Sequence, residues 1–405
     1  MGSQNEVMVA IIYALWFTRL SIIAFLAIAH KRTRRNILPT KDYHSSENTR
    51  PLVSIIIPAF NEQKHIKQCI TSCLQSHYPQ KEIIIVDDGS NDDTYRKAKK
   101  IEEITHSREL IILQNRQNLG KSNALNHGIS SARGSIIVTM DADTKFERPE
   151  TLATLIQPLI ERSEISATTA NLRIEQDQRL CTQLQDMEYT NSLNSIKRAH
   201  CILDSIMILP GAMSAFRRKD LIAVNGFSSQ TMAEDADITM SLLSRGKHLI
   251  FQADAIAITA GPKTFRRLMH QRIRWRIGQF QCLQKHSSMC NAKPIQRLIY
   301  VDQIVASLMS IATPILVILL WLSIQAGEIQ IERVILASLF GLLFAGWFNT
   351  ALCYQLDERH YPNPLQILGY ISFFSVFNPF ITVIAIHHLL TSQTPNWRSR
   401  STPEN

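Results

Sequence analysis

Four long apolar segments limit the architecture of this chain more than any other feature of its sequence. One lies near the N-terminus and three lie near the C-terminus, and each has the length, roughly 20 residues, that spans a bilayer as a helix. They are Val7–Ala29, Ile304–Ile324, Val334–Cys353 and Ile367–Ile386. Because a polar middle region balances these ends, the mean hydropathy of the 405-residue chain is only −0.04. The pattern predicts a membrane protein with a water-soluble middle region.

Basic residues predict the orientation of the first segment. Lys31, Arg32, Arg34 and Arg35 follow it directly, and such residues in short loops mark the cytoplasmic side. We therefore expect the N-terminus outside and the middle region in the cytoplasm. A cleaved signal peptide is the alternative, but no basic stretch precedes the segment and no small-residue cleavage site follows it. A cation at a helix centre costs roughly 3 kcal/mol on insertion scales, so Arg19 should face protein, water or a snorkelling path, or else mark an irregular, partly interfacial helix.

The middle region has the pattern of an α/β domain. Between Pro51 and about Ala260, short β-branched runs alternate with helical stretches, which is typical of a mostly parallel sheet. The predicted strands are Val53–Ile57, Ile83–Asp87, Leu110–Leu113 and Ile136–Met140, and the predicted helices are Gln63–Gln75, Asp93–Thr105 and Lys121–Ser131. Seven cysteines without metal-ligand spacing fit a reduced cytosolic domain. In such sheets ligands bind beyond the carboxyl ends of the strands.

Acidic clusters follow three of the predicted strands. Glu62 ends the turn after the first strand, and Asp87 and Asp88 end the second. These side chains could hold a base and ribose by hydrogen bonds, or could serve only as turn and helix-cap residues, and the residues alone leave both open. Asp141 and Asp143 follow the fourth strand. Two carboxylates one residue apart can reach one hard divalent cation, which commonly bridges protein carboxylates to substrate phosphates.

Six ordered motifs give the chain a resemblance to the family 2 glycosyltransferases, membrane-embedded inverting enzymes with a GT-A fold. The motifs are Val53-Ser54-Ile55-Ile56-Ile57-Pro58-Ala59-Phe60-Asn61-Glu62, Val86-Asp87-Asp88-Gly89-Ser90, Asn118-Leu119-Gly120-Lys121, Asp141-Ala142-Asp143, Glu234-Asp235 and Gln271-Arg272-Ile273-Arg274-Trp275. Within the family the chain is most similar to the processive β-polysaccharide synthases of the poly-N-acetylglucosamine type, with chitin-oligosaccharide and hyaluronan synthases as relatives. The resemblance implies an α/β GT-A domain with flanking transmembrane helices.

The resemblance also implies the donor-binding residues. Asp88, with Asp87 beside it, would contact the uridine of a UDP-sugar, and Lys121 would lie near the nucleotide. Asp141 and Asp143 would serve the diphosphate and its Mg²⁺ or Mn²⁺. The remaining implied substrate-binding residues at the first strand end are Pro58 and Glu62. Such a metal would neutralise charge on the leaving nucleotide.

The acceptor side is implied in the same way. Asp235, next to Glu234, would take the proton from the acceptor hydroxyl, although the pair could also merely stabilise a helix N-terminus. The family usually has Thr before this pair, and Ala233 replaces it here. Trp275 would stack on the acceptor sugar, and Gln271 and Arg274 would complete the motif beside the diphosphate.

The function implied is inverting transfer of a sugar, N-acetylglucosamine in the leading hypothesis, from UDP to a growing β-linked polysaccharide that crosses the membrane. Alternatives are a single-addition transferase with a lipid acceptor and a non-catalytic sugar-nucleotide-binding protein. A dinucleotide-binding domain is disfavoured because no Gly-x-Gly-x-x-Gly turn follows the first strand. The resemblance suggests a small accessory membrane subunit and contact with membrane lipid. The net charge of +9 reflects membrane-proximal basic residues and requires no nucleic acid.

The expected organisation has five parts, in a multi-pass protein of the inner or plasma membrane with a cytoplasmic catalytic domain. These are an N-terminal transmembrane helix and basic linker (1–50), a GT-A catalytic domain (51–262), interfacial amphipathic helices with the Gln-x-x-Arg-Trp motif (263–300), three transmembrane helices (301–390) and a polar tail (391–405).

Overall fold

The structure, a computed structural model, describes residues 17–33, 50–307, 325 and 331–391. The strands of these residues are β1 (Val53–Ala59), β2 (Lys81–Asp87), β3 (Leu110–Gln114), β4 (Ile136–Met140), β5 (Thr144–Phe146), β6 (Ile165–Ile174), β7 (Met213–Arg217) and β8 (His248–Thr259). The helices up to the last strand are α1 (17–33), α2 (Ile66–Leu74), α3 (Thr94–Thr105), α4 (Lys121–Ser131), α5 (Thr151–Glu161), α6 (Leu180–Asn191), a π-helical turn (Ser192–Lys197), α7 (Arg198–Ile202), α8 (Arg218–Ala223) and α9 (Glu234–Ser244). Those after it are α10 (Phe265–Lys285), a 3₁₀ turn (Ser287–Asn291), α11 (294–307), α12 (Ile331–Leu356) and α13 (Pro364–Leu390).

One eight-stranded sheet forms the centre of the middle region, with strand order β3-β2-β1-β4-β7-β6-β8-β5. β1 pairs in parallel with β2 and β4, and β2 pairs in parallel with β3. β7 runs antiparallel to both of its neighbours. The isoleucine runs Ile55–Ile57 and Ile83–Ile85 are fully buried, as expected for strands covered on both faces. The predicted α/β class is confirmed, and the parallel arrangement holds for β3, β2, β1 and β4 and again for the pair formed by β6 and β8.

The first crossover helix begins later than the sequence predicts. The expected helix starts at Gln63, whereas α2 starts at Ile66. Asn61 has a positive φ of 55°, and the backbone N–H of Gln63 donates to the Asp92 carboxylate at 3.2 Å. Residues 63–65 therefore form a turn whose first amide is held by the Asp92 carboxylate, and the regular helix begins at Ile66.

Strand register brings the predicted site residues to one edge of the sheet. Ala59 of β1 pairs with Asp87 of β2, and Ile56 of β1 pairs with Thr139 of β4. Because these strands are parallel, their carboxyl ends meet at the same edge. The segments after β1, β2 and β4 therefore lie along the same edge of the sheet.

Arg19 of α1 forms a two-point ion pair with Asp302 of α11. Its Nε and Nη2 donate to the two carboxylate oxygens at 2.7 and 2.9 Å. A bidentate arginine–carboxylate pair is among the stronger charged contacts, since both hydrogen bonds are charge-assisted. The pair gives Arg19 a protein partner, as its position in an apolar segment requires.

Cations from two distant parts of the chain hold the C-terminal end of α12. Lys31 Nζ donates to the carbonyl oxygens of Gln355 and Leu356 at 3.0 and 3.1 Å. Arg198 of α7 donates to the Leu356 carbonyl oxygen at 3.1 Å. Cations are favourable here because the last carbonyls of a helix lack intrahelical partners. The N-terminal helix and the sheet domain therefore meet at the end of α12.

Among the described residues, one helix, α13, is long and apolar enough to cross a membrane. It contains the predicted span Ile367–Ile386, and the predicted span Val334–Cys353 lies within α12. The described parts of the other two predicted spans, 17–29 and 304–307, are helical. Residues 7–16, 308–324 and the tail beyond residue 391 lie outside the described residues. The number of spans stays a prediction.

Candidate active site

Asp88 ties the end of β2 to the loop before α4. Its Oδ1 accepts hydrogen bonds from Asn115 Nδ2 at 2.8 Å and from the backbone N–H of Leu119 at 3.0 Å, and its Oδ2 accepts from Gly120 N–H at 2.8 Å. The carboxylate is 1% exposed. The structure thus gives Asp88 a local role, which is to fix the loop that ends at Lys121. A direct contact between Asp88 and uridine stays a prediction.

Asp87 keeps one buried oxygen without a partner. Its Oδ2 lies 3.3 Å from the backbone N–H of Ser90 and 3.4 Å from Gln114 Nε2. Its Oδ1 is buried and accepts no hydrogen bond from the described residues. Burial raises the pKa of Asp87, against the opposing effect of the Ser90 hydrogen bonds. An unsatisfied buried acceptor is costly, so this oxygen is suited to receive a donor from a ligand.

Pro58 and Glu62 shape the turn after β1. Pro58 lies within β1 opposite Val86 and is buried. The backbone N–H of Glu62 donates to the Thr94 hydroxyl at 2.8 Å, and its carboxylate lies 2.9 Å from His65 Nδ1. Direct contact of Pro58 or Glu62 with a substrate stays a prediction.

Lys121, the first residue of α4, lies between two carboxylates from distant parts of the chain. Its Nζ is 2.7 Å from Asp141 Oδ1 and 2.9 Å from Glu234 Oε1. Burial lowers the pKa of Lys121, but the two carboxylates outweigh burial and hold that pKa well above its usual range. Burial alone would raise the pKa of Glu234, but the Lys121 ammonium outweighs burial, so the pKa of Glu234 is lowered. Lys121 and Glu234 are therefore both charged at neutral pH.

Asp235 begins α9 next to Glu234, and its pKa shifts in the opposite direction. Burial and the negative charge of Glu234 raise the pKa of Asp235. Its Oδ2 accepts a hydrogen bond from the backbone N–H of Gly211 at 3.0 Å, and its Oδ1 accepts one from Ala236 N–H at 2.8 Å. A raised pKa brings a carboxylate closer to the range of an effective proton acceptor, and the two amides fix its orientation.

The turn after β4 directs its two carboxylates to different partners. Asp141 contacts Lys121, whereas Asp143 Oδ1 accepts hydrogen bonds from the hydroxyls of Thr259 at 3.1 Å and Thr144 at 3.4 Å. No three His, Cys, Asp or Glu side chains of residues 17–33, 50–307, 325 and 331–391 are arranged to hold a metal ion, and all seven cysteines are free. Two carboxylates are nevertheless the number that Mg²⁺ takes when substrate phosphates complete its shell. The predicted ligands therefore fit a cation that a bound nucleotide helps to hold.

The predicted acceptor-side residues of α10 face in two directions. Gln271 Oε1 accepts a hydrogen bond from Gln185 of α6 at 3.0 Å. Arg274 contributes to the lowered pKa of Glu234, so its positive charge lies on the carboxylate side. Trp275 is 37% exposed. The structure therefore brings Arg274 toward Glu234 and places Gln271 against α6.

Arg272, which the sequence analysis did not select as a site residue, contacts both α6 and Trp275. It is 5% exposed and forms an ion pair with Glu188 of α6. Its guanidinium lies 4.0 Å from the centroid of the Trp275 ring. A guanidinium over an indole face is a favourable cation–π contact, strengthened by burial. Arg272 therefore holds the Trp275 ring in place.

Close contact with α10 fixes the start of α9. A Cβ atom at Gly278 would lie 2.6 Å from the Cβ of Ala233, so only glycine permits this approach. One turn into α9, Asp237 pairs with Lys285 and with His286, each at 2.7 Å. The helix that carries Glu234 and Asp235 is therefore anchored to α10 by packing and by charge. The substitution of Ala for the family's Thr lies at this contact.

Gly278→Ala is expected to lower both stability and turnover. The added methyl group would meet the backbone of residues 232–233, immediately before the two carboxylates. Overpacking of this kind typically costs about 1–3 kcal/mol. Thermal unfolding in detergent and initial rates of sugar transfer measure the two effects. Gly369→Ala on α13 is the matched control, since a Cβ atom there meets no atom within 4 Å. Equal behaviour of the two variants would contradict the prediction.

Three residues beside the site lack a local sequence signal that would mark them. Asn115 and Gly211 hold Asp88 and Asp235 by hydrogen bonds. Lys197, at the end of the π-helical turn, lies close enough for its pKa to respond to Asp235. The Pro210-Gly211 pair marks a turn in the sequence, but nothing local indicates what that turn contacts.

The fold and the site together define a class of protein. A mixed α/β sheet with acidic residues at its strand ends is the arrangement of a GT-A nucleotide-sugar transferase domain. Residues 54–224 match the family described as "Glycosyl transferase family 2". Residues 54–224 therefore form a family 2 glycosyltransferase domain, and the Glu234-Asp235 and Gln271-Arg272-Ile273-Arg274-Trp275 motifs lie beyond the matched residues.

Similar proteins agree with this assignment. Poly-beta-1,6-N-acetyl-D-glucosamine synthase of Staphylococcus aureus (strain COL) is 27% identical over 252 residues, which cover 60% of this chain and 60% of that protein. The synthase of the same name from Staphylococcus epidermidis is 24% identical over 396 residues, covering 94% and 93%. The structure of the mannosyltransferase PcManGT from Pyrobaculum calidifontis, in complex with GDP-Man and Mn2+, superposes with a TM-score of 0.58 at 20% identity, covering 93% of this chain and 98% of that one. This similarity confirms the GT-A fold.

Proposed function

We propose that this protein is an inverting glycosyltransferase that moves N-acetylglucosamine from a UDP-sugar to a growing β-linked polysaccharide and couples transfer to passage across the membrane. The observation that carries the proposal is the position of Asp235. Its carboxylate, with raised pKa, adjoins the cluster formed by Lys121, Asp141 and Glu234. A proton acceptor beside a charged nucleotide-binding cluster is the arrangement that direct sugar transfer needs. The names of the relatives support the polymer product.

In the proposed reaction, Asp235 takes the proton of the acceptor hydroxyl as the hydroxyl oxygen attacks the anomeric carbon of the donor sugar. The new carbon–oxygen bond forms on one face while the bond from that carbon to the diphosphate breaks on the other. The electron pair of the broken bond leaves with UDP, so the configuration inverts. Gly211 and Ala236 orient the carboxylate through their backbone N–H groups. Lys121 supplies positive charge where the diphosphate gains negative charge.

Mg²⁺ or Mn²⁺ would be held by Asp141 and Asp143 together with the diphosphate oxygens of the donor. When bound, such a cation neutralises charge on the leaving nucleotide. The cation and the Lys121 ammonium would then compete for Asp141, since Lys121 pairs with Asp141 in the structure. We propose that Lys121 keeps Asp141 in position until the nucleotide and its cation bind.

The base of the nucleotide would lie over the carboxyl ends of β1 and β2. Asp87 Oδ1, buried and without a hydrogen bond from the described residues, can accept the N3–H of uracil. Asp88 would act through the loop that it fixes. Pro58 and Glu62 would border the same pocket, since Pro58 lies near the end of β1 and Glu62 lies in the buried turn that follows it.

The acceptor would approach along α10 toward the membrane. Arg272 covers one face of the Trp275 ring, so the other face is the one suited to stack on a sugar. On the other side of α10, Ile273 and Ile277 pack with Ile381 and Ala385 of α13. The motif helix therefore contacts the helix that is apolar enough to cross a membrane. We propose a multi-pass protein of the cell membrane in which residues 51–262 form the cytoplasmic catalytic domain and residues 263–300 and 301–390 guide the polymer through the bilayer.

The alternative function is addition of a single sugar to a lipid acceptor. The contact between α10 and α13 would serve such an acceptor equally well, because it brings the active site to the hydrocarbon surface. Product length separates the two functions. The alignment covers only 60% of the S. aureus relative. The activity of that whole protein is therefore a proposal for this chain.

The test uses purified full-length protein in nanodiscs with Mg²⁺ or Mn²⁺, offered UDP-N-acetylglucosamine, UDP-glucose, UDP-glucuronate or GDP-mannose. Release of the nucleoside diphosphate and product size are measured. We expect metal-dependent UDP release with UDP-N-acetylglucosamine and a long polymer. A short glycolipid product would support the alternative, and turnover only with another donor would overturn the choice of sugar. Nucleotide binding without turnover for any donor would overturn the enzymatic proposal unless added membrane extract, as a source of an accessory subunit, restores turnover.

A further inference from the structure

A lysine ends the π-helical turn between α6 and α7, and nothing in the proposed reaction uses it. Such turns are rare and often mark functional sites. Lys197 Nζ donates a hydrogen bond to the carbonyl oxygen of Ile208. An ammonium has three donors, so two remain after this bond. No carboxylate of the described residues lies within ion-pair distance of Lys197.

The segment that Lys197 holds leads directly to the proposed base. Ile208 begins the stretch Ile208–Gly211, which precedes β7. At the far end of this stretch, the backbone N–H of Gly211 donates to Asp235 Oδ2 at 3.0 Å. A Cβ atom at Gly211 would lie 2.9 Å from Lys121 Nζ, so the stretch fills the space between the two lysines. A shift at Ile208 would therefore be transmitted to the orientation of Asp235.

Lys197 and Asp235 are also close enough to influence each other's charge. Burial lowers the pKa of Lys197 to about 7, although Asp235 opposes this effect. The ionisable groups that face Lys197 are Asp235 from α9 and His200 from α7. Burial and the charge of Lys197 lower the pKa of His200 to about 4, so His200 is neutral near pH 7. Beyond His200 lies the Arg19–Asp302 pair, whose charges are of opposite sign.

We propose that Lys197 is a positioning residue for sugar transfer: its ammonium holds the Ile208–Gly211 stretch against Asp235 and favours the ionised form of that carboxylate. The inference rests on the proposed role of Asp235 as the base. A protonated Lys197 favours the active form of Asp235, and loss of its proton weakens both the hydrogen bond and the charge interaction. The residue thus links turnover to pH near neutrality.

The test compares pH profiles of kcat and kcat/KM for wild type, Lys197→Met and Lys197→Arg in nanodiscs. Methionine keeps the length of the side chain without its charge, and we expect the acidic limb of kcat to move upward by about one pH unit. Arginine stays protonated throughout, so it should restore the acidic limb and keep the bond to Ile208 above about pH 8, where loss of the Lys197 proton is expected to slow the wild type. Lys219→Met, at an exposed lysine of α8, is the control and should leave both limbs unchanged.

The outcomes separate this inference from the proposed function. If Lys197→Met lowers the rate equally at every pH, Lys197 is merely structural and the inference is overturned. If that variant does not fold, Lys197→Arg decides alone, and an alkaline limb identical to that of the wild type overturns the inference. If wild type and Asp235→Asn turn over at equal rates with every donor, the proposed function itself fails, whatever the lysine variants do.

Discussion

Asp235→Asn is expected to lower turnover by about a thousandfold while leaving donor binding nearly unchanged. Asparagine has the shape of aspartate and keeps one of the two oxygens that accept the Gly211 and Ala236 N–H groups. It cannot take a proton, so an acceptor hydroxyl would have to attack without a base. Initial rates of UDP release measure the loss, and calorimetric titration with the UDP-sugar measures binding.

The raised pKa of Asp235 adds a second expectation for the wild type. Burial and Glu234 favour the protonated form, which cannot act as a base. Activity should therefore fall with decreasing pH at a higher pH than the ordinary aspartate value of about 3.9 would give. Asp254→Asn, at an exposed position of β8, serves as the matched control and should retain wild-type rates. Retention of more than about a tenth of the rate in Asp235→Asn would argue against its role as the base.

Lys121→Met is expected to have the largest effect on stability. Its removal takes away the ammonium that contacts the carboxylates of both Asp141 and Glu234. The side chains are 16–23% exposed, and breaking a pair this buried typically costs about 3 kcal/mol. We expect a lower unfolding temperature and little turnover. If Asp141 binds a divalent cation, Mn²⁺ should recover part of the stability of the variant, and it should do so more than for the wild type.

The stability difference between wild type and Lys121→Met should also depend on pH. The pKa of Glu234 is lowered in the folded protein, so its contribution is present above the unfolded value of about 4.3 and is lost as the pH falls further. The pKa of Lys121 is raised, so its contribution persists through neutral pH and is lost only in strongly alkaline solution. The difference should be largest near pH 7 and shrink in acid. Lys64→Met, at an exposed lysine before α2, should show neither change. A difference that stays constant as the pH falls from about 8 to 3 would contradict this account.

Local patterns predicted the secondary structure best where one signal dominated. The bounds of α4 and β4 match the predicted Lys121–Ser131 and Ile136–Met140, because glycine precedes the helix and a continuous apolar run defines the strand. The start of α2 was wrong by three residues, because residues 63–65 form a turn held by Asp92 of another loop, a contact that no local pattern shows. The antiparallel insertion of β7 has no local signature, since pairing direction depends on the route of the chain between strands.

The alternation of strands and helices, the order of the motifs and the presence of each carboxylate follow from the sequence alone, because they depend on neighbouring residues. Which groups meet depends on the fold. Lys121 meets Asp141 and Glu234 only in the folded protein, where the sheet is assembled and α9 packs on α10. The different pKa shifts of the adjacent Glu234 and Asp235 follow from that meeting, since charges interact strongly only where burial excludes water. Lys197 resembles any helical lysine in the sequence, and only the fold brings it beside Asp235.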